Sequence, residues 1–384
     1  MRKLVELMKN GWSWRSYGKA SGSTGSPNGT KWSLDRASNY TYYVDYFDEA
    51  GIWLCEDETG SYRSTNGVDW EEVSPGPGDH YIVYHNGVFM DFAYADSCVT
   101  YSSVDCKTWT EVEAFNGMEV FDAYVGGGSW LVTTDGGIYR STDCETWDKV
   151  SHLSDDVSWI SYLGGLWIAS DYDTVKVSRD GMSWDVSYYD GGMPLECLAH
   201  FSKGWLAYNS NSGSVVYSKY GTEWIEVGSI ERGQASTFEV DGELFIYVWS
   251  GSRGGYITYK VVIGSGDDWR IDEYSIDGEG ITDMLHRDGV WVACGDSHTY
   301  YSTDRENWND TNLPSGEGCY MVYHENGVWV VSPSGQGLWY SFDGINWHQS
   351  NITEGYQQQI AYGDGVWIAM GFMDGVYHSD TWRP

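Results

Sequence analysis

Residues 338–347 read Leu338-Trp339-Tyr340-Ser341-Phe342-Asp343-Gly344-Ile345-Asn346-Trp347, and the stretch decides the fold because it recurs. Its frame is an aromatic or apolar residue, then Ser, any residue, Asp, three residues and Trp. Its Ser-x-Asp-x3-Trp part is complete at Ser103/Asp105/Trp109, Ser141/Asp143/Trp147, Ser178/Asp180/Trp184, Ser302/Asp304/Trp308 and Ser341/Asp343/Trp347. Ahead of Trp70 an Asn66 stands in the Asp position, and ahead of Trp224 a Tyr220 does. A unit running from about Tyr256 to Trp269 is longer and lacks the frame.

Working outward, each repeat opens with an alternating strand that ends in a hairpin turn, which is Asn-Gly or Asp-Gly at Asn86-Gly87, Asp288-Gly289, Asn326-Gly327 and Asp364-Gly365. These dipeptides favour the φ > 0 turn that matches strand twist. A nearly continuous apolar run follows, as in Val290-Trp291-Val292-Ala293 or Val366-Trp367-Ile368-Ala369, which fits a strand buried on both faces. The aromatic of that second strand falls at Trp53, Phe89, Trp130, Trp167, Trp205, Phe245, Trp291, Trp329 and Trp367, spaced by roughly 39 residues. A third strand leads into the Ser-x-Asp turn, and a fourth begins at the Trp.

Four short antiparallel strands per repeat, stacked so that each sheet covers its neighbour, describe propeller blades. The expected fold is all-β: a single β-propeller of about nine four-stranded blades. An eight-bladed ring with one unit outside it, and a ten-bladed ring using Trp12–Gly18, are the alternatives. The last unit has three strands, at about 358–379, and no room for a fourth. Asn28-Gly29-Thr30-Lys31-Trp32-Ser33-Leu34 looks like an orphan fourth strand, so the N-terminal strand is expected to complete the last blade. The expected domains are a basic arm with a Gly/Ser linker over 1–28 and a propeller over 29–384.

The Ser-x-Asp-x3-Trp frame resembles the Asp-box, the repeat of sialidases and other propellers, with one residue fewer between Asp and Trp than is usual there. The resemblance implies a structural hairpin between the third and fourth strands, on the outer part of each blade. Chemistry agrees, because a short Asp side chain accepts backbone N–H groups of the turn it starts. The Trp is then expected to pack beneath the hairpin, at Trp109, Trp147, Trp184, Trp308 and Trp347 alike. The Trp content has a structural explanation too. Burying about 200 Å² of ring at ~25 cal/mol/Å² contributes roughly 5 kcal/mol as an upper bound. Trp12, Trp14, Trp159, Trp249 and Trp339 fall outside the two repeated positions and are candidates for ligand or partner contact.

Charge narrows the partners. Residues 1–31 hold six Lys/Arg and one Glu, net +5, so the remainder of a chain of net −34 carries −39. Such an acidic surface argues against nucleic acid and suits a basic partner. No stretch reaches the ~18 apolar residues of a membrane-spanning helix. The opening residues contain no apolar run of signal-peptide length. The seven Cys form no CxxC pair or zinc spacing, and a disulfide framework is not expected.

A sialidase would require an arginine triad, a Tyr/Glu nucleophile pair and an acid Asp, and the Arg-Ile-Pro motif that accompanies them is absent. No catalytic set, cofactor site or metal site is therefore assigned. Four imidazoles, His85, His200, His286 and His324, lie at or near the first hairpins of their repeats and form a weak candidate for a metal- or pH-responsive rim. The repeat style is similar to that of propellers in bacteriophage virion and tail proteins. The resemblance implies a non-enzymatic structural or adhesive component. On this reading the protein is made in the host cytoplasm and located in the virion, or alternatively stays cytoplasmic. Arg2, Lys3, Lys9, Trp12, Trp14 and Arg15 would dock it to other virion or assembly proteins. The propeller would face a host-surface glycan or protein, or a neighbouring subunit. The competing expectation is a lectin or sialidase-like glycosidase with its site at the axial mouth.

Overall fold

A computed structural model describes residues 32–36, 41–57, 60–73, 80–93, 99–150, 153, 157, 159–170, 174–189, 196–201, 204–263, 269–314, 318–319, 321–353, 356–372 and 375–379. The chain is a nine-bladed β-propeller in which every blade is a four-stranded antiparallel sheet. Blades 1 to 8 occupy 41–72, 80–111, 120–149, 159–189, 196–229, 235–274, 281–310 and 322–349, each with its strands in sequence order. Blade 9 takes three strands from 356–379 and its fourth from Trp32–Arg36, which pairs antiparallel with Gly375–Ser379. The N-terminal strand thus completes the last blade, in the register Trp32↔Ser379. The arm over 1–28 lies outside the described residues.

By internal contacts the chain divides into two compact units. One comprises the described residues of 73–237 and 262–271 and holds blades 2 to 5. The other comprises those of 32–72, 238–261 and 272–379 and holds blades 1, 7, 8 and 9 with the central hairpin of blade 6.

The first hairpins follow the turn chemistry. Asn86 and Gly87, Asp288 and Gly289, Asn326 and Gly327, and Asp364 and Gly365 all have positive φ at both central residues. The second strands are buried on both faces, continuously so over Leu166–Ser170 and Gly204–Tyr208. Four of the fourth strands are two residues long and exposed: Glu71–Glu72, Thr110–Glu111, Asp148–Lys149 and Asn309–Asp310 have no buried residue. Short, charged outer strands resist edge-to-edge pairing.

The expectation that the fourth strand begins at the Trp holds in blades 6, 8 and 9, at Trp269, Trp347 and Trp32. It is corrected elsewhere. Trp109 precedes Thr110–Glu111, Trp147 precedes Asp148–Lys149, Trp184 precedes Asp185–Tyr189 and Trp308 precedes Asn309–Asp310. In these blades the Trp is the last residue of the turn, and pairing with the third strand starts one residue later, as in Tyr101↔Glu111 with Ser102↔Thr110 and Tyr301↔Asn309.

The core lies between blades rather than within them. In the first unit, Leu166, Ile168, Val175 and Val177 of blade 4 meet Trp205, Ala207, Val216 and Trp224 of blade 5. In the second, Val328, Val330 and Leu338 of blade 8 meet Ile360, Trp367 and Ala369 of blade 9. Blade 9 meets blade 1 the same way, with Val366, Ile368 and Met370 against Val44, Trp53 and Cys55. A four-stranded sheet cannot bury its own second face, so stacking supplies each interface.

Candidate functional site

The Ser-x-Asp turns use their polar groups internally. Ser341 Oγ accepts the N–H of Asp343 and of Gly344 (2.9 Å), and donates to Asp343 Oδ1. Asp343 Oδ1 in turn accepts the N–H of Ile345 (2.9 Å) and Asn346 (2.7 Å). The same set recurs at Ser103/Asp105, Ser141/Asp143, Ser178/Asp180 and Ser302/Asp304. In blade 1, Asn66 reproduces it with its amide oxygen. Backbone N–H donation from Thr108 and Lys107 holds the Asp105 carboxyl down to about 2.

The Trp of the frame is less uniform than its Ser and Asp. Trp184 and Trp347 are buried, and Trp184 closes its turn by donating to Gly181 O at 3.0 Å. Trp109 and Trp308 correct the expectation that every such ring packs fully beneath its hairpin: both are only half-buried. Trp109 Nε1 has no hydrogen-bond partner among the described residues. Trp308 lies at the margin of the cluster formed by Phe245, Met284 and Trp291. Trp147 is half-buried as well and donates to Cys144 O at 3.3 Å. Trp347 is built into the cluster of Leu285, Val292 and Trp329, and Trp184 into that of Leu131, Ile138 and Val150, whereas Trp147 and Trp308 only pack against the edges of theirs.

The residue after the Asp adopts positive φ in every such turn: Gly67, Cys106, Cys144, Gly181, Gly221, Arg305 and Gly344. Its placement gives the turn a second role. A Cβ on Gly344 would meet Val290 and Val292 of the preceding blade, and one on Gly221 would meet Leu166 of blade 4. The turn is therefore part of the interface with the blade before it as well as a hairpin lock. Cys55, Cys106, Cys144, Cys294 and Cys319 are buried and form no disulfide among the described residues, and burial pushes Cys144 up to about 12.

The four histidines are also built into interfaces between blades. His200, His286 and His324 sit directly across from Trp205, Trp291 and Trp329 in the sheet register, with ring centroids 4.6, 4.2 and 4.6 Å apart. Each also reaches the first hairpin of the preceding blade. His200 lies on Gly164, His286 Nδ1 meets Asp241 Oδ2 at 2.6 Å, and His324 lies 3.4 Å from Asp288. His85 instead stands edge-on to Trp130 of the next blade. Burial holds His324 below the ordinary imidazole range. Tyr46 and Tyr162 take the same place in blades 1 and 4, against Gly363 and Gly126. Among the described residues no three His, Cys, Asp or Glu side chains are grouped to hold a metal.

Blade 6 is where the regularity breaks. Its second and third strands, Glu243–Ser250 and Gly255–Ile263, run for 8 and 9 residues. On one face Phe245, Tyr247 and Trp249 alternate along the second strand, passing from buried through half-buried to 50% exposed. Phe238 stacks on Phe245 at 4.9 Å, and Tyr256, paired across from Trp249, meets it ring to ring at 5.1 Å. Tyr247 lies 5.5 Å from the same Tyr256 ring. The lower part of this aromatic column is covered by Ile281, Met284, Trp291 and Tyr300 of blade 7. The upper part, Trp249 with Tyr256, extends beyond that cover.

Blade 7 places its polar hairpin beside this upper end. Asp296 Oδ2 accepts the Tyr256 N–H at 2.8 Å. Glu279, in the turn entering blade 7, accepts from His298 Nδ1 at 2.7 Å and from the Ser297 N–H. Asp296, Glu279 and His298 are each partly exposed. Burial raises the Asp296 carboxyl, and the Glu279 charge adds to it. At the other end of the column, Glu243 binds Lys260 at 2.7 Å and also Arg305, whose guanidinium lies 4.5 Å over the Trp291 ring. Burial pushes Glu243 up, but the hydrogen bonds from Lys260 and Arg305 outweigh it and leave the carboxyl low.

Of the other aromatics singled out by the sequence, Trp339 is half-buried and donates to Gln336 O at 3.2 Å. Arg2, Lys3, Lys9, Trp12, Trp14 and Arg15, and the Trp159 side chain, lie outside the described residues. Asp296, Glu279 and His298 were not marked by any sequence pattern, since they belong to loops whose alignment only the fold supplies.

No family model matches this sequence, and no curated protein matches it significantly. Some solved structures are similar to the chain. YCF48 from Cyanidioschyzon merolae is 12% identical over 91% of this chain and 98% of its own, with a TM-score of 0.41. BamB from Moraxella catarrhalis is 12% identical over 78% and 95%, with a TM-score of 0.45. The GH74 enzyme of Niastella koreensis is 12% identical over 89% and 68%, with a TM-score of 0.38. At these values the likenesses carry no argument about what this chain does or binds. Among the described residues no helix is long and apolar enough to cross a membrane.

Proposed function

We propose that this chain is a non-enzymatic structural or adhesive propeller, a bacteriophage virion component of the tail, fibre or decoration kind. Residues 1–28 dock it to other virion proteins, and the blades are presented to a host surface or a neighbouring subunit. The observation that carries this reading is the use of the repeated polar residues. The Asp of each complete Ser-x-Asp turn is hydrogen-bonded to the backbone of its own turn. His200, His286 and His324 lie against the preceding blade. The repeat is thus a framework, and chemistry offered to a partner belongs where the repeat fails. The basic 1–31 segment, net +5 on a chain otherwise at −39, suits attachment to an acidic partner.

Deleting 1–28 tests the reading. The shortened chain is expected to keep the far-ultraviolet dichroism and tryptophan emission of the full chain while failing to co-purify with assembled particles. Undiminished incorporation of the deletion variant would refute attachment through the arm. Glycoside hydrolysis by the purified full chain, lost on substitution of a single carboxylate, would refute the non-enzymatic reading.

A further inference from the structure

We infer that the upper end of the blade 6 aromatic column, Trp249 with Tyr256, together with Asp296, Glu279 and His298 of the neighbouring blade, forms a binding site for an uncharged pyranose of a surface glycan. The inference rests on the adhesive reading above and names what such a surface takes.

The first argument is the aromatic geometry. Side chains of Phe245, Tyr247 and Trp249 share one strand face, and the first two are covered by blade 7 and Phe238. Trp249 is 50% exposed even though its strand is the longest second strand of the nine. The repeated second-strand aromatic of this blade is Phe245, fully buried as Trp53, Trp167, Trp329 and Trp367 are in theirs. Trp249, four residues further along the lengthened strand, is an additional indole that the core does not use. Tyr256 stands edge-on to this indole at 75° and fixes the ring plane. A rigid indole face, two torsions from the backbone, presents a large apolar surface at low entropic cost.

The second argument is the polar set next to it. Sites for small polar ligands combine aromatic walls with a few converging hydrogen-bonding groups. The Asp296 carboxylate is held on the Tyr256 N–H, one residue from the hairpin that carries Trp249. Glu279 is fixed by His298 and the Ser297 N–H. Carboxylates held in place accept hydroxyl protons in short, charge-assisted bonds. A pyranose has one face of C–H groups and a rim of hydroxyls, and matches an aromatic plane with adjoining carboxylates. The charge selects among sugars. Glu279 and Asp296 already repel each other, so a sialic or sulfated sugar would add a third negative charge. Arg253, the cation of this hairpin, is engaged by Glu273 at 2.6 Å.

The test titrates the full chain with glucose, galactose, N-acetylglucosamine and their linear trisaccharides, and with sialyllactose, read by calorimetry and tryptophan fluorescence. A neutral sugar is expected to bind at millimolar affinity, with W249A and Y256A each weakening it about tenfold or more. W249F should retain most of the affinity, D296N should weaken it, and sialyllactose should bind more weakly than the neutral sugars. Unchanged dichroism in W249A and Y256A controls for folding, since both side chains lie at the strand ends. Three outcomes overturn the site: no neutral sugar binds, binding is unchanged in both W249A and Y256A, or sialyllactose binds best. A particle protein that captures the full chain through Trp249 in place of any sugar also overturns it, in favour of a protein partner. The arm deletion reads particle attachment separately, so either idea can fail alone.

Discussion

Gly344 and Gly327 lie in the same blade with almost the same backbone, φ +72° and +74°, and in different surroundings. A Cβ on Gly327 would have nothing within 4 Å. A Cβ on Gly344 would meet Trp329, Val290 and Val292 at 3.2 Å each, two of them from the blade before. Placing alanine in the left-handed region costs about 1 kcal/mol at either site. Overpacking a closed interface adds roughly 1–3 kcal/mol, and only at Gly344. Gly327→Ala is therefore expected to lose about 1 kcal/mol, and Gly344→Ala about 2–4 kcal/mol. The left-handed backbone itself is tolerable, since Cys106, Cys144 and Arg305 adopt it at the equivalent position. Urea unfolding followed by tryptophan fluorescence, with equal m-values required of the two variants, reads the difference. Equal losses would refute the claim that the Ser-x-Asp turn is an interface between blades, and leave it a local hairpin.

Three further outcomes are expected. Thr258 is fully buried, and its Oγ1 makes 2.6 Å hydrogen bonds with both the N–H and the C=O of Ile281; Thr258→Val, equal in shape, should cost about 2–3 kcal/mol in the same assay by stranding them. Asp105→Ala should cost on the order of 1 kcal/mol, water recovering part of the loss in an exposed turn; because its folded carboxyl is depressed to about 2, the contribution is full above the ordinary carboxylate range near 4 and fades as pH falls toward 2, so the stability gap between wild type and variant should close over that window. Cys144, buried and pushed up to about 12, should resist iodoacetamide at pH 8 in the folded chain and react once unfolded, as mass spectrometry of the labelled peptide will show.

The nine sheets, their hairpins and the strand that completes the last blade were legible in the sequence because each depends on local signals. Asn-Gly pairs specify their turns, and an apolar run specifies a buried strand. Trp249 and the sixth unit were legible as departures from a rule. The partners of those residues were not. Nothing near Asp296 or Glu279 in sequence indicates Tyr256, 40 residues from the first, since the contact comes from stacking one sheet on the next. The burial of the frame Trp was hidden too. Trp109 and Trp347 occupy one motif position and are each followed by two strand residues, yet Trp109 is half-buried and Trp347 is buried in a cluster with Leu285 and Val292 of the preceding blade, a contact the motif does not show. The histidines were misleading in the same way. Their common position gave no sign that His200, His286 and His324 each face the Trp of their own blade and a hairpin of the preceding one, the place Tyr46 and Tyr162 fill in blades 1 and 4, while His85 meets Trp130 of the next blade.

The pairing of Trp32–Arg36 with Gly375–Ser379 also sets a timetable. A ribosome adding about 5–20 residues per second needs on the order of 20–70 s to travel between these two strands. Throughout that interval the first strand has been made and its partner has not. Any particle or chaperone that handles the nascent chain meets it with one strand waiting, and only synthesis of the far strand lets the ninth sheet form.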